Sequence, residues 1–131
     1  MSPDRYRILC ADDHDDTCFL LSTLFDGWGY EVRSAGGVEE TLTIAGIEHF
    51  DLFILDYHYR DGSGVELCRQ LRQMKPQTPV MFYSGEAYES DREQALRAGA
   101  EAYVVKPELK GLLTAVQRVL QRQKLGANSG V

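Results

Sequence analysis

The stretch Leu52-Phe53-Ile54-Leu55-Asp56 is an unbroken apolar run that ends in a carboxylate. Four consecutive apolar residues predict a strand that is buried on both faces, because a strand with one face in water alternates apolar and polar residues. Residues 8–11, 80–83 and 102–105 have the same character. Residues 30–33 alternate instead, so we expect them to form an edge strand of the same sheet.

Segments with helical periodicity separate these five runs. The first places Leu21, Leu24, Phe25 and Trp28 at the spacing i, i+3, i+4, i+7, which is one face of a helix. The fourth, residues 89–98, is polar with few apolar anchors. Five strand–helix alternations predict an α/β fold: a (βα)5, doubly wound, flavodoxin-like five-stranded parallel sheet with helices on both faces. The expected strand order is 2-1-3-4-5.

The length and the composition favour one domain. The chain has 131 residues, a formal net charge of −6 and 44% hydrophobic residues. We expect the domain over residues 1–124 and a flexible C-terminal tail over 125–131. The acidic balance argues against direct nucleic-acid binding, and no apolar run is long enough to span a membrane. Cys10, Cys18 and Cys68 have no metal-like spacing and suit a reduced cytoplasm as small hydrophobic residues.

Residues whose side chains could take part in chemistry directly follow four of the five apolar runs. Asp12 and Asp13 follow the first run, Asp56 the third, Ser84 the fourth and Lys106 the fifth. The carboxyl ends of parallel strands meet at one edge, so these side chains are expected to converge. Each Asp or Ser could separately be a helix N-cap. Together, three carboxylates need a compensating cation such as Mg²⁺, while an ammonium and a hydroxyl suit a phosphoryl group.

This arrangement resembles the receiver domain of two-component response regulators, over residues 5–123. Besides the strand-end residues, the resemblance is carried by Gly64, eight residues after Asp56, and by Pro107 directly after Lys106. It implies a CheY-like fold and a signalling module, which is not an enzyme in the usual sense. In the loop after the acceptor, Tyr59 and Arg60 depart from the aliphatic residue and the proline that are usual in the family.

The resemblance also implies the partners and the metal. Asp56 would accept a phosphoryl group from a sensor histidine kinase or a histidine phosphotransfer protein. Asp13, Asp56 and the backbone carbonyl of His58 would ligate Mg²⁺ directly. Asp12 would act chiefly through metal-bound water. The module would be cytoplasmic.

The resemblance implies that the remaining site residues take part in the conformational response to phosphorylation. Lys106 would pair with the phosphoryl oxygens, and Ser84 would move to hydrogen-bond one of them. Tyr103 would be the aromatic switch, and Pro107 would follow a cis peptide bond. A downstream target protein would bind the face made by the fourth helix, the fifth strand and the fifth helix, and a homodimer is left open.

Other functions remain as alternatives. A receiver-like scaffold that works without phosphorylation is the main one, although this chain keeps the acidic pair, the acceptor and the lysine. An aspartyl-phosphate hydrolase would need a second Asp two residues after Asp56, where this sequence has His58. The chain is expected to be a stand-alone receiver, with excision from a longer regulator as the alternative.

Overall fold

The computed structural model describes residues 5–129, with side chains described as far as residue 122. Strands and helices alternate as the sequence predicts, with one small hairpin added after the third strand. In chain order the elements are β1 (Arg7–Ala11), α1 (Asp15–Gly27), β2 (Glu31–Ala35), α2 (Val38–Ile47), β3 (Leu52–Leu55), β4 (His58–Tyr59), β5 (Gly62–Ser63), α3 (Gly64–Met74), β6 (Val80–Ser84), α4 (Glu89–Arg97), β7 (Ala102–Val105) and α5 (Leu109–Ser129).

The main sheet has five parallel strands in the order β2-β1-β3-β6-β7. Counted without the hairpin strands, this is the predicted order 2-1-3-4-5, and β2 lies at an edge as predicted. The register aligns the strand ends, since Leu55 pairs with Ala11 on one side and with Phe82 on the other. The residues that follow these positions are therefore delivered to one edge of the sheet.

The central strand β3 contributes to two separate cores. Phe53 and Leu55 belong to the cluster that α2, α3 and α4 cover. Leu52 and Ile54 belong to the cluster that α1 and α5 cover. Burial on both faces is the reason why this strand reads as a continuous apolar run.

The first helix is followed by a glycine in a left-handed conformation, and the last helix extends past the predicted domain boundary. Gly29, just after α1, has a φ of 91°, a left-handed conformation that favours glycine at a helix C-terminus. The last helix reaches Ser129, past the expected domain boundary at residue 124. Residues 130 and 131 lie outside the described residues, and flexibility over 125–131 stays a prediction.

The cysteines and the helices agree with the compositional analysis. Cys10 and Cys68 are buried, Cys18 is half-buried, and all three are free thiols. Burial raises the pKa of the Cys68 thiol to about 11, so it is protonated near neutrality. Across residues 5–129, none of the helices pairs the length with the apolar character that crossing a membrane requires.

Candidate functional site

Three aspartates converge at the carboxyl edge of the sheet. Asp12 and Asp13 directly follow β1, and Asp56 directly follows β3. Asp12 and Asp56 are buried, whereas Asp13 is half-buried. Each of the three aspartates and His14 has one possible ligand atom in the cluster, and these four atoms lie within 4.8 Å of one another. The structure thus brings the predicted metal-binding carboxylates together.

His14 is a member of this cluster that the sequence analysis did not include. Its Nδ1 atom lies 3.0 Å from Oδ1 of Asp12 and 3.4 Å from Oδ1 of Asp13. Its backbone N–H also donates a 2.9 Å hydrogen bond to Oδ1 of Asp12. The residue immediately precedes α1, where the side chains of neighbouring residues are expected to diverge, so the sequence did not favour a histidine in the metal site.

Lys106 supplies a positive charge to the cluster. Its Nζ donates hydrogen bonds of 2.7 Å to Oδ2 of Asp12 and 3.2 Å to Oδ2 of Asp56. Burial lowers the pKa of this ammonium, but the hydrogen bond to Asp12 and the charge of Asp56 outweigh burial, and the pKa is raised overall. The lysine is therefore charged at neutral pH and offsets part of the repulsion among the carboxylates. The Lys106–Pro107 peptide bond is cis, the conformation that the resemblance implies.

Tyr59 joins the end of β1 to the residue that follows β3. Its hydroxyl accepts a 2.8 Å hydrogen bond from the backbone N–H of Asp56 and donates one of 2.8 Å to the carbonyl of Ala11. The side chain is buried, and burial is the main reason why its pKa lies well above the ordinary value of 10.0. The hydroxyl thus stays protonated and keeps both hydrogen bonds.

Gly64 allows the chain to fold closely over the acceptor position. A Cβ atom at Gly64 would lie 2.0 Å from the backbone oxygen of Asp56, a separation that no side chain tolerates. The Gly64 N–H donates a 2.8 Å hydrogen bond to the carbonyl of Tyr57, which closes the loop. The side chain of Ser63, just before the glycine, caps α3 by accepting from the backbone N–H groups of Val65 and Glu66.

The β4–β5 hairpin connects the acidic pair to α2. The backbone N–H of Arg60 donates a 3.0 Å hydrogen bond to Oδ2 of Asp13. Asp61 accepts hydrogen bonds of 2.8 and 3.1 Å from the backbone N–H groups of Val38 and Glu39, at the start of α2. These two hydrogen bonds lower the pKa of the Asp61 carboxyl. The hairpin therefore caps a helix that precedes it in the chain.

Ser84 and Tyr103 meet at the loop that leads into α4. Ser84 ends β6 and is buried, and its Oγ accepts a 3.2 Å hydrogen bond from the backbone N–H of Glu86. The Tyr103 hydroxyl donates a 2.7 Å hydrogen bond to the carbonyl of the same Glu86. The Tyr103 ring is buried and stacks on Phe82, with centroids 5.7 Å apart. Ser84 and Tyr103, the predicted switch residues, thus hydrogen-bond to the backbone N–H and to the carbonyl of the same residue, Glu86.

The side chain of His58 lies at the surface beside Glu86. Its Nε2 lies 3.3 Å from Oε1 of Glu86, and both side chains are exposed at the surface. The backbone of His58 pairs with Ser63 in the hairpin. Ligation of a metal by the His58 carbonyl stays a prediction.

Comparison with known proteins places this geometry in a family. Residues 8–117 match the family model of the response regulator receiver domain. The chain belongs to this family. This receiver domain is accordingly a signalling module of two-component systems.

Individual relatives resemble the receiver domain over most of its length. The alkaline phosphatase synthesis transcriptional regulatory protein PhoP of Bacillus subtilis is 34% identical over 94% of this chain. The chain covers 52% of PhoP, and thus spans about half the length of such curated relatives.

Two solved structures have the same fold. A CheY-like response regulator receiver domain from Methanospirillum hungatei is 29% identical, with a TM-score of 0.88 over 92% of this chain and 98% of that one. The BeF3-activated receiver domain of DrrB is 28% identical, with a TM-score of 0.82 over 89% of this chain and 98% of that one.

Proposed function

We propose that this receiver domain accepts a phosphoryl group on Asp56 and switches its contacts with other proteins in response. The observation that carries the proposal is the setting of Asp56. It is a buried carboxylate that shares the cation of Lys106 with Asp12 and lies within a cluster of carboxylates at the sheet edge. Phosphoryl transfer mainly requires alignment and neutralisation of charge, and this cluster supplies both.

The donor set fits Mg²⁺. Carboxylate oxygens are the ligands that this cation prefers, and three carboxylates exceed the charge that one lysine can balance. Asp13, Asp56 and the backbone carbonyl of His58 would hold the metal, with Asp12 in contact through water. When bound, Mg²⁺ supplies charge neutralisation at the phosphoryl oxygens.

The two oxygens of Asp56 have different surroundings. Oδ1 accepts a 2.8 Å hydrogen bond from the backbone N–H of Tyr57, and Oδ2 faces Lys106. In transfer, one carboxylate oxygen forms a bond to phosphorus as the P–N bond of a phosphohistidine breaks. The histidine nitrogen of the sensor kinase or phosphotransfer protein leaves with the electron pair of that bond. Lys106 stays protonated and pairs with the transferred oxygens.

The response would begin at the loop between β6 and α4. A phosphoryl group adds roughly two negative charges and strong acceptors beside Ser84. Movement of the Ser84 hydroxyl toward it removes the hydrogen bond from Glu86, whose carbonyl is held by Tyr103. A change at Glu86 would therefore reach Tyr103 and the face of α4, β7 and α5, where a downstream target protein would bind.

The test is intact mass after incubation with Mg²⁺ and acetyl phosphate, with Asp56→Ala as the negative variant. Asp26→Asn, an exposed aspartate far from the cluster, is the matched control. We expect one phosphoryl adduct on the unchanged chain and on Asp26→Asn, none on Asp56→Ala, and none without Mg²⁺. Because fast hydrolysis would hide an adduct, Mg²⁺-dependent binding of beryllofluoride is measured in parallel. Failure of both supports the phosphorylation-independent scaffold.

A further inference from the structure

The structure places an imidazole nitrogen at the carboxylate cluster. Nδ1 of His14 lies 3.0 Å from Oδ1 of Asp12 and 3.4 Å from Oδ1 of Asp13. With Asp56, these residues offer four possible ligand atoms that lie within 4.8 Å of one another. The donor set of the cluster is thus one nitrogen and three oxygens, whereas the Mg²⁺ site of the proposed function has oxygen ligands only.

The separations between these atoms suit a transition-metal ion. Bonds of about 2.0–2.2 Å to a central Zn²⁺ ion place neighbouring ligand atoms roughly 3–3.5 Å apart. The distances from the imidazole nitrogen to the two carboxylate oxygens, 3.0 and 3.4 Å, match this spacing. The three atoms therefore already have the mutual separation that such an ion requires.

The oxygens that face His14 are not the ones that the rest of the site binds. Lys106 donates to Oδ2 of Asp12, and the backbone N–H of Arg60 donates to Oδ2 of Asp13. Oδ1 of each carboxylate lies toward the imidazole. Oδ1 of Asp12 also accepts a 2.9 Å hydrogen bond from the backbone N–H of His14. These hydrogen bonds orient the carboxylates, as outer partners of metal ligands do, and leave lone pairs for a cation.

The side chain of His14 does not cap the helix that it precedes. The residue is the N-cap of α1, yet its side chain makes no capping hydrogen bond. The side chain is 69% exposed, so its replacement should leave the fold intact. Exposure also lets a metal ion reach the ring from solvent.

The other two histidines in the described part of the chain have a different setting. His49 lies 3.3 Å from one carboxylate, that of Asp51, just before β3 and thus at the opposite end of the sheet. His58 lies 3.3 Å from one carboxylate, that of Glu86. A single exposed pair of this kind contributes little energy. The contact of His14 with two carboxylates sets it apart, and His49 offers a matched control.

We propose that His14 and the acidic pair bind a first-row transition-metal dication, such as Zn²⁺ or Co²⁺, with Nδ1 of His14 as a nitrogen ligand. Imidazole suits these ions, whereas Mg²⁺ prefers oxygen ligands and keeps several waters. The histidine thus adds affinity for a transition metal and none for Mg²⁺. The inference rests on the proposed function for the location of the metal site, and it concerns which metal that site prefers.

The two kinds of metal would exclude each other. Both use the carboxylates of the acidic pair, so an ion bound at His14 takes ligands that Mg²⁺ needs. The ion at the acceptor site then depends on the relative amounts of the two metals and on their affinities. Competition between Zn²⁺ and Mg²⁺ is therefore part of the test.

The experiment is isothermal titration calorimetry of the full chain with Zn²⁺ and, separately, with Mg²⁺. The variants are His14→Ala and His14→Phe, the second of which keeps a ring without a nitrogen. His49→Ala is the matched control, because it also removes an imidazole beside an aspartate. Cys18→Ser tests a nearby thiol, whose Sγ donates a 3.2 Å hydrogen bond to the carbonyl of Asp12. Proton–nitrogen NMR spectra of the histidine rings identify the nitrogen that binds, and thermal melting establishes that each variant is folded.

We expect Zn²⁺ to bind the unchanged chain, His49→Ala and Cys18→Ser equally, and both variants of His14 at least about tenfold more weakly. The Mg²⁺ affinity should not fall in the variants of His14. Zn²⁺ should shift the Nδ1 resonance of His14, and excess Mg²⁺ should reverse that shift.

Four results would overturn the proposal. The first is an unchanged Zn²⁺ affinity in the folded variants of His14, which would leave the histidine as a partner of the acidic pair by charge alone. The second is a parallel fall in Mg²⁺ affinity, which would mean general damage to the site. The third is a Zn²⁺-induced shift confined to the ring of another histidine, and the fourth is a loss of Zn²⁺ binding in Cys18→Ser.

The two proposals fail separately. If Mg²⁺-dependent binding of beryllofluoride is absent, the phosphoacceptor function fails, while the Zn²⁺ titration still tests His14. If beryllofluoride binds with Mg²⁺ but the Zn²⁺ affinity does not depend on His14, the nitrogen ligand is overturned and the acceptor function stands.

Discussion

The Nζ atom of Lys106 lies 2.7 Å from Oδ2 of Asp12, nearer than the 3.2 Å that separates it from Oδ2 of Asp56. Of these two carboxylates, the lysine thus lies closer to that of Asp12, which belongs to the acidic pair. A metal that binds the carboxylates has to compete with this ammonium for them. An anionic phosphoryl group, in contrast, gains from the same ammonium.

Lys106→Met is therefore expected to move two affinities in opposite directions. Loss of the ammonium removes a competitor for the carboxylates, so Mg²⁺ should bind more tightly. Loss of the same charge removes a partner for the anion, so beryllofluoride should bind about tenfold more weakly or worse. Titrations monitored by NMR measure both affinities, and Lys110→Met, an exposed lysine on α5, is the control. Parallel changes in the two affinities would contradict this account.

Gly64→Ala tests the close approach of the chain to Asp56. The new Cβ would lie 2.0 Å from the backbone oxygen of Asp56, so the hairpin or the start of α3 must move. We expect a loss of about 1–3 kcal/mol in the free energy of unfolding. Beryllofluoride affinity should also fall, because the acceptor is displaced.

Gly27→Ala is the matched control for this change. Gly27 is the last residue of α1, and no atom lies within 4 Å of a Cβ added there. Alanine in a helix is favoured over glycine by about 0.5–1 kcal/mol, so this variant should be neutral or slightly stabilised. Chemical denaturation of both variants measures the difference. A Gly64→Ala protein as stable as Gly27→Ala would refute the close approach.

Tyr59→Phe isolates the hydroxyl that joins Asp56 to Ala11. The ring can stay in place, but a buried N–H and a buried carbonyl each lose a 2.8 Å hydrogen bond. The Asp56 N–H keeps its 3.3 Å hydrogen bond to the Ala11 carbonyl, so we expect the free energy of unfolding to fall by about 0.5–1.5 kcal/mol and the beryllofluoride affinity to fall with it. Tyr57→Phe, which loses a hydrogen bond to Gln94, should affect stability without a comparable effect on beryllofluoride. Equal effects of both variants on beryllofluoride would deny Tyr59 a positioning role.

The convergence of the strand-end residues could be predicted from the sequence because the fold leaves little choice. Once β1 and β3 are parallel neighbours, the pairing of Ala11 with Leu55 puts Asp12 and Asp56 side by side. Lys106 follows the edge strand β7 at the same end of the sheet. The apolar runs therefore predict both the architecture of the sheet and the positions of the carboxylates at its edge.

The roles of Tyr59 and Asp61 could not be predicted in this way. Both lie in the β4–β5 hairpin, a loop without apolar periodicity. Their partners are distant in the chain: Tyr59 binds Ala11, 48 residues away, and Asp61 binds Val38, 23 residues away. Such contacts depend on the path of the loop in space, which local patterns do not encode. His14 stands between acidic residues whose side chains are expected to diverge at the start of a helix, whereas its ring turns back toward the acidic pair.

Asp61→Asn tests whether the hairpin stabilises α2. Hydrogen bonds from Val38 and Glu39 lower the folded-state pKa of Asp61 below its ordinary value of 3.8. A carboxyl with a depressed pKa stabilises the folded state above its unfolded pKa, and the stabilisation disappears as the pH falls through the folded value. We therefore expect Asp61→Asn to melt at a lower temperature than the unchanged chain at pH 7. This difference should shrink as the pH falls below 3.8.

Thermal melts of both proteins across this pH range measure the difference directly. Glu66→Gln, an exposed carboxylate whose partner Arg69 lies in the same helix, is the control for general loss of charge. A gap between Asp61→Asn and the unchanged chain that stays constant with pH would mean that the carboxylate charge does not stabilise the start of α2. A gap that closes at acidic pH, without a matching effect in Glu66→Gln, assigns the stabilisation to the hairpin cap, because Asp61 accepts from the first N–H groups of that helix.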